Sequence, residues 1–429
     1  MDSRGPVILN FKMKFIHTAD IHLDSPLHRL EAYDGAPVEE IRQASRRALE
    51  NLINLALDEA VDFVLIAGDL FDGDWRDYNT GLYFTSRMRR LNEAGIFVFI
   101  VQGNHDAAGQ MTRSLPVPPN VHIFSSARPE TRMIDALKVA VHGQSFARAA
   151  VMENLAAGYP APVAGHVNIG LLHTSLTGRP GHENYAPCAL EDLVNKGYDY
   201  WALGHVHQAE IVTHDPPVVF PGCVQGRHAR EGGEKGCMLV VMEEGAAPLI
   251  HHQTIDVIRW TRTVVDLTGA NTIDEVLDRF REEFEKTVAR NDPLPVIARI
   301  ELAGRTELHT RILADMEYIK QALRSTAAVA FGDRAWIEKI QVNTRPVRGR
   351  VPDSGPINEL NLLVERLSSS PDDLQALGDE LAPLFQKLPA DYRQNAASFR
   401  PDDPEAMARL LAQAHALLVQ RLRKASGAT

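Results

Sequence analysis

The sequence predicts an α/β domain followed by a small α+β domain and a helical tail. Three observations lead there. Over residues 14–257, short apolar runs rich in β-branched and aromatic residues alternate with helical patterns. From Arg259 the order becomes strand, helix, strand, helix, strand, ending near Val342. Beyond Arg345–Pro356, which is rich in Pro, Gly and charge, only short helical patterns remain. The expected division is an N-terminal extension at 1–13, a first domain at 14–257, a second at 258–345, and a linker with helical tail at 346–429.

In order, the strands expected in the first domain are Lys14–Ala19, Asp62–Ala67, Ile96–Val101, Val139–His142, Val167–Leu172 and Tyr198–Leu203, then Val218–Phe220 and Cys237–Met242. These runs are almost continuously apolar, the mark of strands covered on both faces. Apolar residues at helical spacing predict helices over Val38–Ala60 and Tyr78–Ala94. The second domain reads as strands Thr263–Leu267, Val296–Leu302 and Trp336–Val342 with helices Ile273–Ala289 and Leu308–Leu323. The tail offers helices at Ile357–Leu367, Asp372–Gln386 and Pro404–Ala425, amphipathic but without sustained heptads.

The 429 residues include 56 acidic and 45 basic side chains, a formal charge of -11. A 45% apolar and 24% charged composition excludes collagen-like and disordered classes. Three cysteines, Cys188, Cys223 and Cys237, are too few and scattered for a disulfide framework or a CxxC zinc site, so a reducing compartment is expected. The first residues lack the apolar core of a signal peptide, and no run reaches the roughly 18 apolar residues of a membrane span. The expectation is a cytoplasmic protein with no membrane association. The acidity lies in residues 1–257, with 31 acidic against 21 basic residues, and most of the 17 histidines fall there too.

The histidines are placed at strand ends. The first strand ends in Asp20 and His22, the second in Gly68, Asp69 and Asp72, and the third in Gly103, Asn104, His105 and Asp106. The strand at 167–172 runs into His173, and that at 198–203 into Gly204, His205 and His207. Sites in open α/β sheets form outside the carboxyl ends of strands. One such end with a histidine means little; five in order, with glycines where tight turns are needed, point to a site. Carboxylate, amide oxygen and imidazole suit Mn(II), Fe or Zn(II). The ligands suffice for two ions, and a shared carboxylate between ions about 3.5–4 Å apart suits in-line attack on a phosphoester.

The series DIH, GDLFD, GNHD, H and GHVH resembles the five-part signature of the calcineurin-like metallophosphoesterase superfamily. The resemblance implies a four-layer α-β-β-α metallophosphoesterase sandwich with an α+β capping domain and a helical C-terminal tail. It implies that Asp20, His22, Asp69 and His207 hold one metal, and that Asp69, Asn104, His173 and His205 hold the second. His105 takes the place of the non-ligand histidine that approaches the phosphate and protonates the leaving oxygen, with Asp72 tuning its imidazole. KFIHTADIHLDSPL and PGCVQGRHAREGGEKGC further resemble the SbcD-type DNA repair exonuclease branch, and within it YhaO-like proteins. The branch implies a Mn(II)-dependent 3′-to-5′ exonuclease acting on DNA, a coiled-coil ATPase partner of the SbcC type docking on the tail helices, and a homodimer. Asp72 departs from the branch's best-studied nucleases, which carry histidine there, and leaves the exonuclease and endonuclease balance open.

Two other functions stay open. The same motifs serve phosphodiesterases and phosphatases of small phosphoesters, which the acidic chain favours. A non-catalytic scaffold subunit of an ATPase complex is the third reading, although no ligand is missing. Arg227, His228 and Arg230, in a Gly-rich loop, read equally as DNA phosphate contacts or as a solvated loop. His17 and His142 read as hydrogen-bonded structural residues, His251 and His252 carry no assigned role, and Cys223 and Cys237 read as buried thiols.

Overall fold

A computed structural model describes residues 12–25, 38–73, 78–108, 116–177, 184–347, 356–387 and 401–425. Most of the expected N-terminal extension and of the linker after Arg345 lie outside the described residues. The chain forms two compact units, one from residues 1–261 with 291–298 and the other from 262–290 with 299–429.

The first unit is built on two six-stranded mixed sheets. Strands β1 (Lys12–Thr18), β2 (Phe63–Ala67), β3 (Phe97–Val101) and β4 (Val121–Ile123) run parallel in that spatial order. In the second sheet β5 (Glu130–Ile134) pairs antiparallel with β6 (Val139–Gly143), which leads the parallel run β7 (Val167–His173), β8 (Tyr200–Gly204) and β10 (Pro217–Phe220). Strand β9 (Glu210–His214) closes that sheet antiparallel to β10. The first sheet ends in β11 (Gly236–Glu243), antiparallel to β1, and β12 (Leu249–Thr254). His251 and His252 therefore lie within a strand.

Side-chain alternation explains the layers. Phe15, Phe63, Leu65, Phe99, Val141, Ile169, Leu171 and Tyr200 fill the core between the sheets, where Phe15 stacks on Phe63 at 4.8 Å. The intervening residues Ile16, Val64, Ile66, Val98 and Ile100 face the other way, against helices α2 (Ala44–Asp58) and α3 (Tyr78–Glu93). Helix α2 presents Ala48, Leu49, Leu52, Ile53 and Ala56, one stripe at helical spacing. On the far side Leu172, Trp201, Leu203 and Phe220 pack against Tyr159 and against Leu193 of α5 (Leu190–Val194). Every central strand is thus covered twice, which accounts for its unbroken apolar run. The expected helix Val38–Ala60 is divided at Gln43 into α1 (Val38–Arg42) and α2. Its backbone bonds still run from Gln43 to Glu39 and from Arg47 to Gln43. The short α4 (Asn104–Ala108) follows β3.

The second unit holds a three-stranded sheet of β13 (Arg259–Asp266), β14 (Val296–Arg305) and β15 (Ala335–Arg345). Helix α6 (Ile273–Arg290) buries Val276, Phe280, Phe284 and Val288, four residues apart, and Phe284 meets Phe331 of α8 (Met316–Phe331). The expected helix Leu308–Leu323 is split at Asp315, whose φ of -106° leaves the helical region, into α7 (His309–Ala314) and α8. Tail helices α9 (Pro356–Ser369), α10 (Pro371–Gln386) and α11 (Pro404–Ala425) follow. Helix α11 packs on α7, α9 and α10 and buries Met407 fully.

Candidate metal centre

The carboxyl ends of β1, β2 and β3 in one sheet and of β7 and β8 in the other deliver the motif residues to one place. Backbone bonds fix the delivery. The amides of Asp20, His22 and Leu23 donate to the carbonyls of Gly68, Asp69 and Leu70, so the loops after β1 and β2 extend side by side. Asp20 (φ 50°), His22 (φ 45°), Asp69 (φ 50°) and His205 (φ 105°) all hold positive φ. Strained backbone of this kind at non-glycine residues concentrates at functional sites. A Cβ on Gly68 or Gly103 would collide with the His173 ring, and one on Gly204 with the Ala67 carbonyl, so the glycines allow the approach.

Two sets of bare acceptor atoms converge. His173 donates from Nδ1 to the Ala67 carbonyl at 2.8 Å, which leaves Nε2 with a lone pair in the neutral ring. That Nε2 faces Asn104 Oδ1 at 3.0 Å and Asp69 Oδ2 at 3.5 Å. His207 donates from Nδ1 to Glu231 Oε1 at 2.6 Å. Its Nε2 lies 3.4 Å from His22 Nε2 and 3.8 Å from Asp20 Oδ1, and His22 Nε2 is 3.9 Å from Asp69 Oδ2. Lone pairs gathered at this spacing repel unless a cation sits among them, so the donor set fits divalent metal ions. Asp20, His22 and His207, and Asp20, Asp69 and His173, form two groups able to hold an ion. His205 stands beside His173, ring centroids 5.2 Å apart, and donates its backbone N–H to Asp20 Oδ2 at 3.0 Å.

Electrostatics follow from burial. Desolvation, opposed by His207 and reinforced by Asp69, pushes Asp20 up to about 7. Desolvation drives His22 down to about 3. His105 is half exposed, and its bond to Asp72 raises its pKa to about 8 against partial burial. Burial alone would raise Asp72; the bonds from His105 and His22 outweigh it and hold the carboxyl far below the carboxylate range.

Two further side chains position the site in ways that sequence reasoning does not assign. Asp106, the last residue of the GNHD motif and fully buried, accepts the backbone N–H groups of Leu70, Phe71 and Gly103 at 3.1, 2.8 and 3.1 Å, clamping the β2 and β3 loops together. Glu231 orients His207, as carboxylates orient metal-bound imidazoles. Arg227 is turned inward: its guanidinium donates to Glu231 Oε1 at 3.0 Å and lies 3.6 Å from Asp72 Oδ2. His228 and Arg230 are the exposed members of the three, with 55% of the His228 side chain accessible.

The bystanders are structural. His17 bonds Tyr200 Oη and the Leu203 carbonyl, both at 3.0 Å, and burial drives it down to about 3. His142 sits inside β6 between Thr131 and Asn168, stacked on Tyr198. Burial pushes the Cys223 and Cys237 thiols up to about 12.

Comparison with known proteins decides the family. Over 296 residues the chain is 37% identical to the uncharacterized metallophosphoesterase YhaO of Bacillus subtilis, covering 68% of this chain and 72% of that one. This chain belongs to the calcineurin-like metallophosphoesterase family. The family described as calcineurin-like phosphoesterase matches residues 13–209, and the middle domain of metallophosphoesterase YhaO matches residues 260–345. Weaker likeness extends to proteins named DNA double-strand break repair protein Mre11. That of Methanopyrus kandleri is 26% identical over 320 residues, covering 67% of this chain and 65% of its own. That of Sulfurisphaera tokodaii is 25% identical over 325 residues, covering 72% and 78%. Metallophosphoesterases of this family use a dinuclear metal centre, and the two converging donor groups lie where the family motifs fall. Among the described residues no helix is long and apolar enough to cross a membrane.

Proposed function

We propose that this metallophosphoesterase is a metal-dependent nuclease that cleaves DNA, as a 3′-to-5′ exonuclease in repair with Mn(II) in the cell. The observation that carries the DNA substrate is the likeness to Mre11 proteins over 320 residues, longer than the 13–209 phosphoesterase match. In this reading Asp20, His22, Asp69 and His207 hold one ion, and Asp69, Asn104, His173 and His205 the other. Bound divalent ions supply Lewis-acid charge and activate the nucleophile for in-line attack on phosphorus. The chain's own part is positioning and proton transfer. His105, held through Nδ1 by Asp72 at 2.5 Å, presents its other nitrogen to the leaving oxygen and protonates it. The loop side chains available to a DNA phosphate are the exposed His228 and Arg230, since Arg227 is engaged with Glu231.

The chain's net charge of -11 gives duplex DNA little electrostatic hold. We therefore include a DNA-gripping coiled-coil ATPase of the SbcC type as partner, met by the tail helices, where Leu362, Leu363, Leu417 and Leu418 are exposed. A cytoplasmic location and a homodimer complete the proposal.

The same charge favours a second reading, hydrolysis of small phosphodiesters. End-labelled duplex DNA incubated with wild type or His105→Ala, in Mn(II), Mg(II) or EDTA, tests both. A Mn(II)-dependent ladder from the 3′ end that vanishes in the variant supports the nuclease. Absence of cleavage with and without an ATPase partner, alongside His105-dependent turnover of a small diester, replaces it with the second reading.

A further inference from the structure

The loop between β10 and β11 carries two side chains, Arg227 and Glu231, whose geometry goes beyond holding metal ions. Glu231 is 6% exposed, yet charged. It accepts His207 Nδ1–H at 2.6 Å, the Arg227 backbone N–H at 2.7 Å and the Arg227 guanidinium at 3.0 Å. Burial alone would raise its pKa; the His207 bond and the Arg227 charge overrule that and hold it far below the carboxylate range. The same guanidinium reaches Asp72, 3.6 Å away, and Asp72 is the carboxylate bound to His105. One half-buried cation thus stands between the two carboxylates that fix the two imidazoles, and those imidazoles have different duties. His207 faces the metal ligands Asp20 and His22. His105 is the half-exposed histidine beside them.

Buried charges are costly unless paired, so a carboxylate–guanidinium–carboxylate chain at this depth needs a role that a neutral loop could not fill. Fixing a tautomer is such a role. With Glu231 accepting from Nδ1, His207 presents a bare Nε2; without it the proton is free to move to Nε2 and block the ligand atom.

We propose that Glu231 and Arg227 are positioning residues: Glu231 sets the tautomer and ring angle of His207 for metal binding, and Arg227 ties Glu231 to Asp72 so that His207 and His105 are held by one frame. This rests on the metal-centre reading of the site and not on a DNA substrate.

The test is a calorimetric titration of EDTA-stripped full-length protein with Mn(II), without nucleic acid, so a failure of the nuclease reading leaves it untouched. Glu231→Gln is nearly isosteric, and its melting temperature in EDTA reports on folding. It is expected to bind one ion as wild type does and the other 10–100-fold more weakly. Glu231→Asp, which keeps the charge but withdraws it by one methylene, is expected to weaken the same ion and serves if the Gln variant does not fold. Arg227→Met is expected to weaken that ion too. At saturating Mn(II) it should also lower kcat on bis(p-nitrophenyl) phosphate with KM unchanged, because Asp72 and His105 lose their anchor. Wild-type binding of both ions by Glu231→Gln and Glu231→Asp overturns the role of Glu231. An Arg227→Met variant with wild-type kcat overturns the shared frame.

Discussion

His173 Nε2 and Asn104 Oδ1 face one another at 3.0 Å, with His173 Nδ1 turned to the Ala67 carbonyl at 2.8 Å. In the neutral ring with its proton on Nδ1, Nε2 and Oδ1 are both acceptors and suit a cation between them. Adding Mn(II) to metal-free protein is therefore expected to raise its melting temperature. At a hundred times Kd the linkage is worth about 2.7 kcal/mol per site. Asp69→Asn keeps an oxygen for the His105 backbone N–H but removes the carboxylate that the proposed assignment shares between the two ions, and should abolish most of the rise. Differential scanning fluorimetry with and without EDTA reads this; equal rises in both proteins contradict it.

In the proposed mechanism His105 and Asp72 act on the substrate side of the same cluster. His105→Ala is expected to lower kcat by about 10²–10⁴-fold, the usual scale of a positioned general acid. Mn(II) binding should stay intact, as for a general acid that holds no ion, and the measurement decides this because His105 also forms a group with His22 and Asp72 able to hold one. Parallel kinetics and metal titration check it, and a loss of metal binding would move His105 among the ligands.

Gly103 is adjacent to two proposed ligands, Asp69 and His173. A Cβ there would press on Asp69 and lie 2.8 Å from the His173 ring, both buried and unable to retreat. Gly103→Ala should cost about 1–3 kcal/mol, as overpacked cores do, and weaken metal binding. Urea denaturation and metal titration of the variant measure the two effects.

Asp106 holds three buried backbone donors. Asp106→Ala orphans all three, at about 1–3 kcal/mol each. Asp106→Asn, with one acceptor oxygen left, should lose less. A denaturant series ranking Ala below Asn supports the clamp; equal stabilities argue against it.

His17 sets a pH dependence remote from the metal ligands. It is fully buried, and desolvation lowers its pKa from 6.5 to about 3. Because the folded state resists protonation, the unfolded chain binds the extra proton. The stability due to neutral His17 is complete above 6.5 and is lost as pH falls from there toward 3. The loss between pH 7 and pH 5 is about 2 kcal/mol. His17→Gln should have a shallower slope across that window in denaturant titrations; matching slopes would contradict the assignment.

The central strands were legible because both faces of each are buried. Phe63–Ala67 and Val98–Val101 are apolar throughout for that reason. The four strands with no sequence signal, β4, β5, β9 and β12, are the edges of the two sheets. With one side open they tolerate polar residues, as in ETRMI and LIHHQT, and leave no apolar run to read. The helix breaks at Gln43 and Asp315 were invisible because apolar spacing continues across both.

The sequence by itself determined the alternation of elements and the order of ligand types at strand ends, because periodicity and turn glycines act within a few residues. Only the tertiary structure decided which partners those ligands have. Nothing local tells Arg227 to turn inward to Asp72 or Glu231 to take the Nδ1 proton of His207, residues 155 and 24 positions away. Those choices are made by two sheets packing face to face, which brings distant loops within hydrogen-bond reach and leaves buried charges no option but to pair.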